Sequence, residues 1–231
     1  MSPFENPAVV QERYRGQLAH PSGLAARMLG AAMDFANRRP TRLALDLLDP
    51  RPGEHVLDAG CGTGAALAEL LARAPCSVAG IDASPTMIAR ARARLGDRAR
   101  LALGLIEEGP FAPQSFDAVL ALNVVYFADR KGCVVASLRR MLKPTGRMVA
   151  YVTHRTTMED WPFADAGYHR LFDEQELVSA LLVGGFARDA ISVHAAPVAP
   201  SVIGLFAVAH NLEAENWRET EDWPTMMRSG P

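Results

Sequence analysis

From residue 54 onward, apolar positions fall into two alternating patterns. Short continuous runs at residues 54–59, 77–82, 99–104, 116–122 and 147–153 have the length of strands buried on both faces. Between them, residues 64–74, 84–95 and 130–142 repeat their apolar positions at helical period. Strands and helices joined by short connections imply a parallel sheet with helices on both faces. Past residue 153 the pattern changes. A polar, aromatic stretch leads to FDEQELVSALLVGGF, where Asp173 and Glu176 read as a capping box and Gly184 with Gly185 as the helix end. ARDAISVHA and SVIGLFAVAH then read as strands joined through APVAPS, a turn so short that its strands must be antiparallel.

Ahead of the first strand the period is helical. SGLAARMLGAAMDFANRR sets Leu24, Met28, Leu29 and Ala32 near one face, with Ser22 as N-cap. TRLALDLLD begins a second helix near Thr41, ended by Pro50, Arg51, Pro52 and Gly53. The expected organisation is an N-terminal helical cap over residues 1–53, a doubly wound α/β domain over 54–210 and an acidic tail over 211–231 that carries Trp217 and Trp223. There is no internal repeat and no low-complexity tract.

The chemistry concentrates where the first strand meets the first helix of the alternating region. VLDAGCGTG, residues 56–64, ends a buried strand with Asp58 and then Gly60, Gly62 and Gly64 around Cys61. Glycines let a backbone turn sharply and approach a ligand that side chains would push away, at the N-terminus of a helix suited to polar ligands. Gly60, Gly62 and Ala65 also fit the looser dinucleotide fingerprint, a weak match by itself. The next strand, SVAGID, ends in Asp82, eighteen residues past Gly64, where a carboxylate can accept from both hydroxyls of a ribose. Ser84 then caps a helix that has Pro85 at its first position.

Asp-x-Gly-x-Gly-x-Gly followed by GIDASPTMIARAR resembles the class I S-adenosylmethionine-dependent methyltransferases of small-molecule type. The resemblance covers roughly residues 54–210 and implies a Rossmann-like, doubly wound, mostly parallel seven-stranded sheet with a C-terminal antiparallel hairpin. It implies S-adenosyl-L-methionine as co-substrate and S-adenosyl-L-homocysteine as product. The loop from Asp58 through Gly60, Cys61, Gly62 and Gly64 would wrap the methionine half, Asp82 would take the ribose, and Ala83 and Met87 would border the adenine. FDAVLALNVVYFAD resembles the fourth strand and its exit, which brings Asn123 and Val124 beside the sulfonium. Tyr126 and Phe127 follow, either as aromatic partners of that cation or as packing for the next helix. LKPTGRMVAY resembles the family's Leu-Lys-Pro-Gly-Gly turn, with Thr145 in place of one glycine. The chain departs from the pattern at LALGLIEEGPFAP: the adenine-binding Asp is replaced by Leu105, with Ile106 next and Glu107 behind. Either Glu107 reaches the adenine edge or the backbone of Leu105 and Ile106 does so. Asn123 lacks the two prolines of the Asn-Pro-Pro motif of adenine and glutamine methylases.

The resemblance implies in-line attack by a small-molecule acceptor on the sulfonium methyl, with the protein supplying chiefly alignment and desolvation. A hydroxyl or carbon acceptor needs a base, and the candidates are Tyr14, His20, His154, Tyr168 and His169, each with a packing or surface role as the alternative. Trp161, Phe163, Tyr168 and Phe172 make residues 153–172 aromatic enough for a flat or lipophilic acceptor, or for sealing the core.

Composition narrows the rest. The 231 residues, 49% of them hydrophobic, can bury one substantial core, and a net charge of -2 gives no general attraction to nucleic acid. Arg90, Arg92, Arg94, Arg98 and Arg100 read as the solvated face of a helix whose buried stripe is Met87, Ile88, Ala91 and Leu95. No apolar run reaches the length of a membrane span and no signal peptide is visible, so a cytoplasmic monomer or homodimer is expected. Cys61, Cys76 and Cys133 have no metal-ligand spacing, and no metal is expected; Cys61 reads as packing under the turn. Two rivals stay open: a nicotinamide-dependent oxidoreductase, which lacks a Tyr-x-x-x-Lys pair here because Arg130 stands four places after Tyr126, and a non-catalytic binding protein on the same fold.

Overall fold

Strands rich in Val, Leu, Ile and Ala on both faces need cover on both sides, and a central sheet receives it. The computed structural model describes residues 34–128, 131–159 and 170–212. Among these, β1 (His55–Ala59), β2 (Ser77–Asp82), β3 (Ala99–Leu103), β4 (Phe116–Leu122), β5 (Leu142–Thr153), β6 (Ile191–Ala199) and β7 (Val202–His210) form one seven-stranded sheet in the order β3-β2-β1-β4-β5-β7-β6. β1 to β5 are parallel, and β7 runs antiparallel between β5 and β6. The helices are α1 (Arg38–Leu48), α2 (Ala65–Arg73), α3 (Pro85–Leu95), α4 (Cys133–Met141), α5 (Arg155–Met158) and α6 (Glu174–Val183).

Each face of the sheet has its own core. One gathers Leu57, Val119 and Val152 with Leu138 of α4 and Leu181 of α6. The other gathers Val56, Leu120 and Phe206 with Leu45 of α1, Leu67 of α2 and Ile88 of α3. α1 lies in the span read as a cap, yet its Ala44, Leu45 and Leu48 are completely buried. Arg147 of β5 fastens its end, donating to the carbonyls of Leu48 (2.5 Å) and Asp49 (2.7 Å) while pairing with Glu54 at 2.8 Å. These bonds satisfy carbonyls that a helix C-terminus otherwise leaves open. At the other end of the chain, buried Asn211 donates its side-chain amide to the carbonyls of Leu142 and Lys143, so the ordered sheet layer runs through the first residue of the expected tail.

Three element boundaries depart from the sequence reading. β5 starts at Leu142, not near 147, because a register shift opposite Phe116–Ala118 lets the LKPTGR segment join the ladder. Thr145 there holds φ +64, the left-handed conformation that glycine adopts without cost. The expected strand at ARDAISVHA loses its first residues to a single helical turn, Arg188–Ala190, and extends instead through Pro197. Proline is tolerated because β6 is an edge strand. The hairpin turn accordingly shrinks to Pro200 and Ser201, the latter at φ +59.

The sheet order sets the site. From β1 the chain steps outward to β2 and β3, then returns across β1 to β4, so neighbouring C-terminal loops part between β1 and β4. Such switch points in open α/β sheets form a crevice that ligands occupy.

Candidate cofactor and acceptor site

The β1 side of the crevice is the glycine loop. Gly60, Gly62 and Gly64 have φ of +70, +52 and +75, so the turn uses left-handed backbone three times in five residues. The three glycines do different jobs. A Cβ on Gly60 would lie 2.6 Å from Val124 Cγ2, and one on Gly64 would lie 2.9 Å from Leu95, so these two permit close packing. At Gly62 nothing stands within 4 Å, so the open side of the loop is there. The Gly60 and Cys61 amides both donate to the Ile81 carbonyl (2.8 and 2.9 Å), binding the loop to the end of β2.

Asp82 completes that attachment. Its carboxylate accepts from the Gly62 amide at 2.9 Å and the Ser84 amide at 2.8 Å, one bond to each oxygen. Ser84 in turn caps α3 by accepting from the Met87 amide. Burial pushes the Asp82 pKa up, and the two amide bonds counter it. Asp58 is 2% exposed and takes no hydrogen bond from the described residues; burial first, and Asp82 second, push its pKa up to about 8. Two carboxylates therefore stand at the loop, and among the described residues only Asp82 is supplied with donors.

Cys61 packs inward. Its sulfur would sit 2.8 Å from a Cβ on Gly80, so β2 needs a glycine at that position, which the sequence reading had passed over. Burial, together with Asp58 and Asp82, holds the thiol far above its ordinary range and therefore protonated, which removes it as a nucleophile. Ala83 is exposed at the end of β2 and Met87 half-buried on the first turn of α3. Leu105 and Ile106 are half-buried at a single helical turn, Ile106–Glu108, where Ile106 meets the core and the Leu105 amide lies 3.4 Å from Glu108. Glu107 is half-buried too, with one carboxylate oxygen sealed from solvent.

The β4 side is built differently. Asn123 leaves β4 at φ +58, a left-handed position that asparagine tolerates better than most residues, and Val124 packs against Gly60 across the crevice. Tyr126 is buried beside Phe172, and its hydroxyl accepts from the Thr153 amide at the end of β5. The Tyr151 and Thr153 hydroxyls lie 3.3 Å apart nearby. Tyr126 thus packs on Phe172 and the end of β5. His154 caps α5: its Nδ1 accepts from the Thr156 amide, and Nε2 lies 3.5 Å from Glu174. Tyr14, His20, Tyr168, His169, Trp161, Phe163, Trp217 and Trp223 lie outside the described residues.

The site includes residues that sequence reasoning missed. Thr63, between the last two loop glycines, donates to Asp34 at 2.7 Å and accepts from Arg94 at 2.7 Å. Asn123 donates to Asn37 at 3.1 Å. The arginine face is also less idle than expected: besides Arg94, Arg98 donates to the Leu95 and Arg94 carbonyls, and Arg100 lies 5.1 Å from the Phe111 ring centre. The loop position of Thr63 was the available signal; nothing local pointed to Asp34 or Asn37. Among the described residues no three His, Cys, Asp or Glu side chains are grouped to hold a metal, and no helix is long and apolar enough to cross a membrane.

Residues 57–150 match the family model described as a methyltransferase domain. An O-methyltransferase of Pyrenophora dematioidea is 32% identical over 162 residues, covering 64% of this chain and 57% of that protein. A 24-methylenesterol C-methyltransferase 2 of Oryza sativa subsp. japonica is 32% identical over 125 residues, 50% of this chain and 34% of its own length. The chain thus spans between about a third and just over half of these curated relatives. In fold it is similar to Burkholderia thailandensis 1,6-didemethyltoxoflavin-N1-methyltransferase with bound S-adenosylhomocysteine, at a TM-score of 0.69 and 22% identity over 92% of this chain and 93% of that one. The likeness to methyltransferases is thus carried in sequence by residues 57–150, and in fold by most of the chain.

The residues present fit the ligand that the sequence resemblance implies. The loop is open at Gly62, the half-buried Asp82 carboxylate stands beside it with lone pairs to spare, and a second, buried acid, Asp58, lies on β1 just ahead of the loop.

Proposed function

We propose that this protein transfers a methyl group from S-adenosylmethionine to a small-molecule acceptor. The observation that carries the reading is Asp82, whose carboxylate holds the Gly62 and Ser84 amides at the one point where the loop opens. When bound, the ligand supplies a methyl already activated on sulfonium sulfur. Asp82 binds the ribose with the lone pairs its two amide bonds leave free. Asp58 and the loop backbone hold the methionine half. Leu105, Ile106, Met87 and Ala83 border the adenine from its apolar side, and Asn123 with Val124 shape the wall next to the methyl. Alignment of this kind can contribute roughly 7–11 kcal/mol to a transfer that needs no redox step.

Relatives act, by their names, at oxygen, carbon and nitrogen, so acceptor chemistry here is carried by the chain's own β4 and β5 exits. Three hydroxyls stand there: Tyr126, Tyr151 and Thr153 bond to one another or to backbone, and burial pushes the pKa of both tyrosines up. They orient an acceptor better than they deprotonate it, which favours a base among Tyr14, His20 and Tyr168, with His154 a further candidate. A cytoplasmic location and a monomer or homodimer complete the proposal. Calorimetry with S-adenosylhomocysteine and with NAD(P), followed by turnover of radiolabelled methyl donor over a metabolite panel, tests it. Tight NAD(P) binding without S-adenosylhomocysteine binding would overturn it.

A second reading has its own support. The adenine-side Asp is replaced by Leu105, and a solved [4+2]-cyclase has a similar fold at a TM-score of 0.63 and 18% identity. On that reading the ligand is held but its methyl is not moved; binding without turnover over the whole panel would establish it.

A further inference from the structure

Residues 34–37 are held across the crevice by polar bonds at both ends. On the β1 side, Arg94 of α3, Thr63 of the glycine loop and Asp34 close a three-membered ring. Arg94 donates to Thr63 Oγ1 (2.7 Å) and to Asp34 Oδ2 (2.8 Å), and Thr63 donates to Asp34 Oδ1 (2.7 Å). On the β4 side, Asn123 donates to Asn37 Oδ1 at 3.1 Å. These four residues therefore bridge the two loops that part at the switch point.

What holds this bridge is unlike what holds the helix after it. α1 is fixed by completely buried leucines and by the Arg147 clamp. Among the described residues the bridge has no such anchor: Phe35 within it is 70% exposed, with the Arg38 guanidinium 5.4 Å from its ring centre. The Arg94 and Asp34 side chains are 37% and 27% exposed, enough for salt to screen their attraction. Thr63, by contrast, is 9% exposed and lies between two left-handed glycines, so its hydroxyl transmits the position of Asp34 directly to the loop backbone. Segments with few apolar contacts and exposed polar bonds are those that open locally while the core stays folded.

We propose that Asp34, Thr63 and Arg94 form an ionic latch that closes residues 34–37 over the crevice and sets how fast ligand exchanges. Asp34 and Arg94 act as positioning residues through Thr63. The identity of the exchanging ligand rests on the function proposed above; the latch itself does not.

Two measurements test it. Stopped-flow displacement of S-adenosylhomocysteine from the full chain compares the parent with Asp34→Asn, Arg94→Met and the charge swap Asp34→Arg/Arg94→Asp. This ligand carries no net charge near neutral pH, so salt acts on its exchange mainly through the protein. Both association and dissociation should speed up by about three- to tenfold in the single variants, the range set by one partly exposed ion pair and its hydrogen bonds. The swap should restore slow exchange. In the parent, raising NaCl from about 0.01 M to about 0.5 M should reproduce the acceleration, which the variants should no longer show. Unchanged rates, or a rise in dissociation with association unaltered, would overturn the latch in favour of a plain contact. The second measurement needs no ligand: amide hydrogen exchange at residues 34–37 and Thr63 should quicken in Arg94→Met while β1, β4 and β5 stay protected. Equal exchange in parent and variant overturns the latch even if S-adenosylhomocysteine binds, whereas failure of the parent to bind S-adenosylhomocysteine overturns the functional reading alone.

Discussion

The two walls of the crevice are built by opposite means. The β1 wall is one continuous piece of chain, residues 56–87, in which strand, turn, acid and helix cap lock to one another through backbone amides. The β4 wall is assembled from pieces far apart in sequence: Asn37, Asn123, Tyr126, Thr153, His154 and Phe172. The first wall demands particular residues at particular backbone angles. The second demands only that distant side chains meet, and many residue choices achieve that. A substitution in the β1 wall should therefore damage the backbone and the ligand together, and one in the β4 wall should have a smaller, separable effect.

The largest expected effect is at the seam of the two walls. Gly60→Val forces a β-branched residue to φ +70 and drives its Cβ toward Val124, 2.6 Å from a methyl carbon. Left-handed strain of about 1–2 kcal/mol and overpacking of about 1–3 kcal/mol should add. Chemical denaturation should show a loss of roughly 2–5 kcal/mol together with failure to bind S-adenosylhomocysteine. Gly62→Val, with open space around it, should lose binding while stability falls by only about 1–2 kcal/mol. Equal destabilisation by the two variants would erase the distinction between packing glycine and ligand glycine.

Next comes Asp82→Ala, which removes the acceptor of two amides as well as the proposed ribose ligand. Binding of S-adenosylhomocysteine should weaken by roughly 2–4 kcal/mol by calorimetry, since bonds to a charged group contribute about 1.5–3 kcal/mol each. Asp82→Asn keeps one acceptor oxygen and should be milder. Glu107→Ala, in the segment where the adenine-side Asp is replaced, should matter only if that carboxylate takes over the missing role. A folded Asp82→Ala protein that binds like the parent would detach this wall from the ligand.

Asp58 gives a pH-dependent test of the same wall. Its pKa is raised from 3.8 to about 8 by burial and by Asp82. A raised pKa means that the folded state holds a proton the unfolded chain releases, so its contribution to stability is present below pH 4 and is lost as pH rises toward 8. Asp58→Asn cannot ionise. Its unfolding free energy by chemical denaturation should match the parent near pH 4 and exceed it increasingly up to pH 8, by an amount on the order of 2 kcal/mol once relaxation and water penetration are allowed for. A constant gap across that range would mean that Asp58 is ionised throughout.

How much of this could be seen in the sequence follows the same division. Asp58, the glycines and Asp82 lie within one strand–turn–helix–strand unit, so their spacing put them at the carboxyl ends of neighbouring strands. The alternating pattern likewise gave the parallel strands and the closing hairpin. What stayed hidden depends on long separations: Arg147 reaches Glu54 across 93 positions, and Asn123 reaches Asn37 across 86. Gly80 was hidden for another reason, since a glycine inside a strand shows its purpose only when Cys61 is seen packed over it. Thr145 and Ser201 take left-handed angles that their residue types do not advertise.

The smallest expected effect is at His154 on the β4 wall, and it separates a structural from a chemical role. Nδ1 accepts from the Thr156 amide as the cap of α5, so the ring proton belongs on Nε2, the nitrogen that faces Glu174. His154→Ala should cost about 1 kcal/mol, the usual value of a lost N-cap, and His154→Asn, a good capping residue, should recover it. If capping is its whole contribution, both variants keep the parent's turnover and pH–rate profile once an acceptor is in hand. If instead it takes a proton from the acceptor, the asparagine variant regains stability but not rate, and the lower limb of the pH–rate profile disappears in both. The cap geometry favours the first outcome, because the Nδ1 lone pair is held by a backbone amide while Nε2 carries the ring proton and is turned toward Glu174 of α6, which leaves no lone pair free for an acceptor's proton.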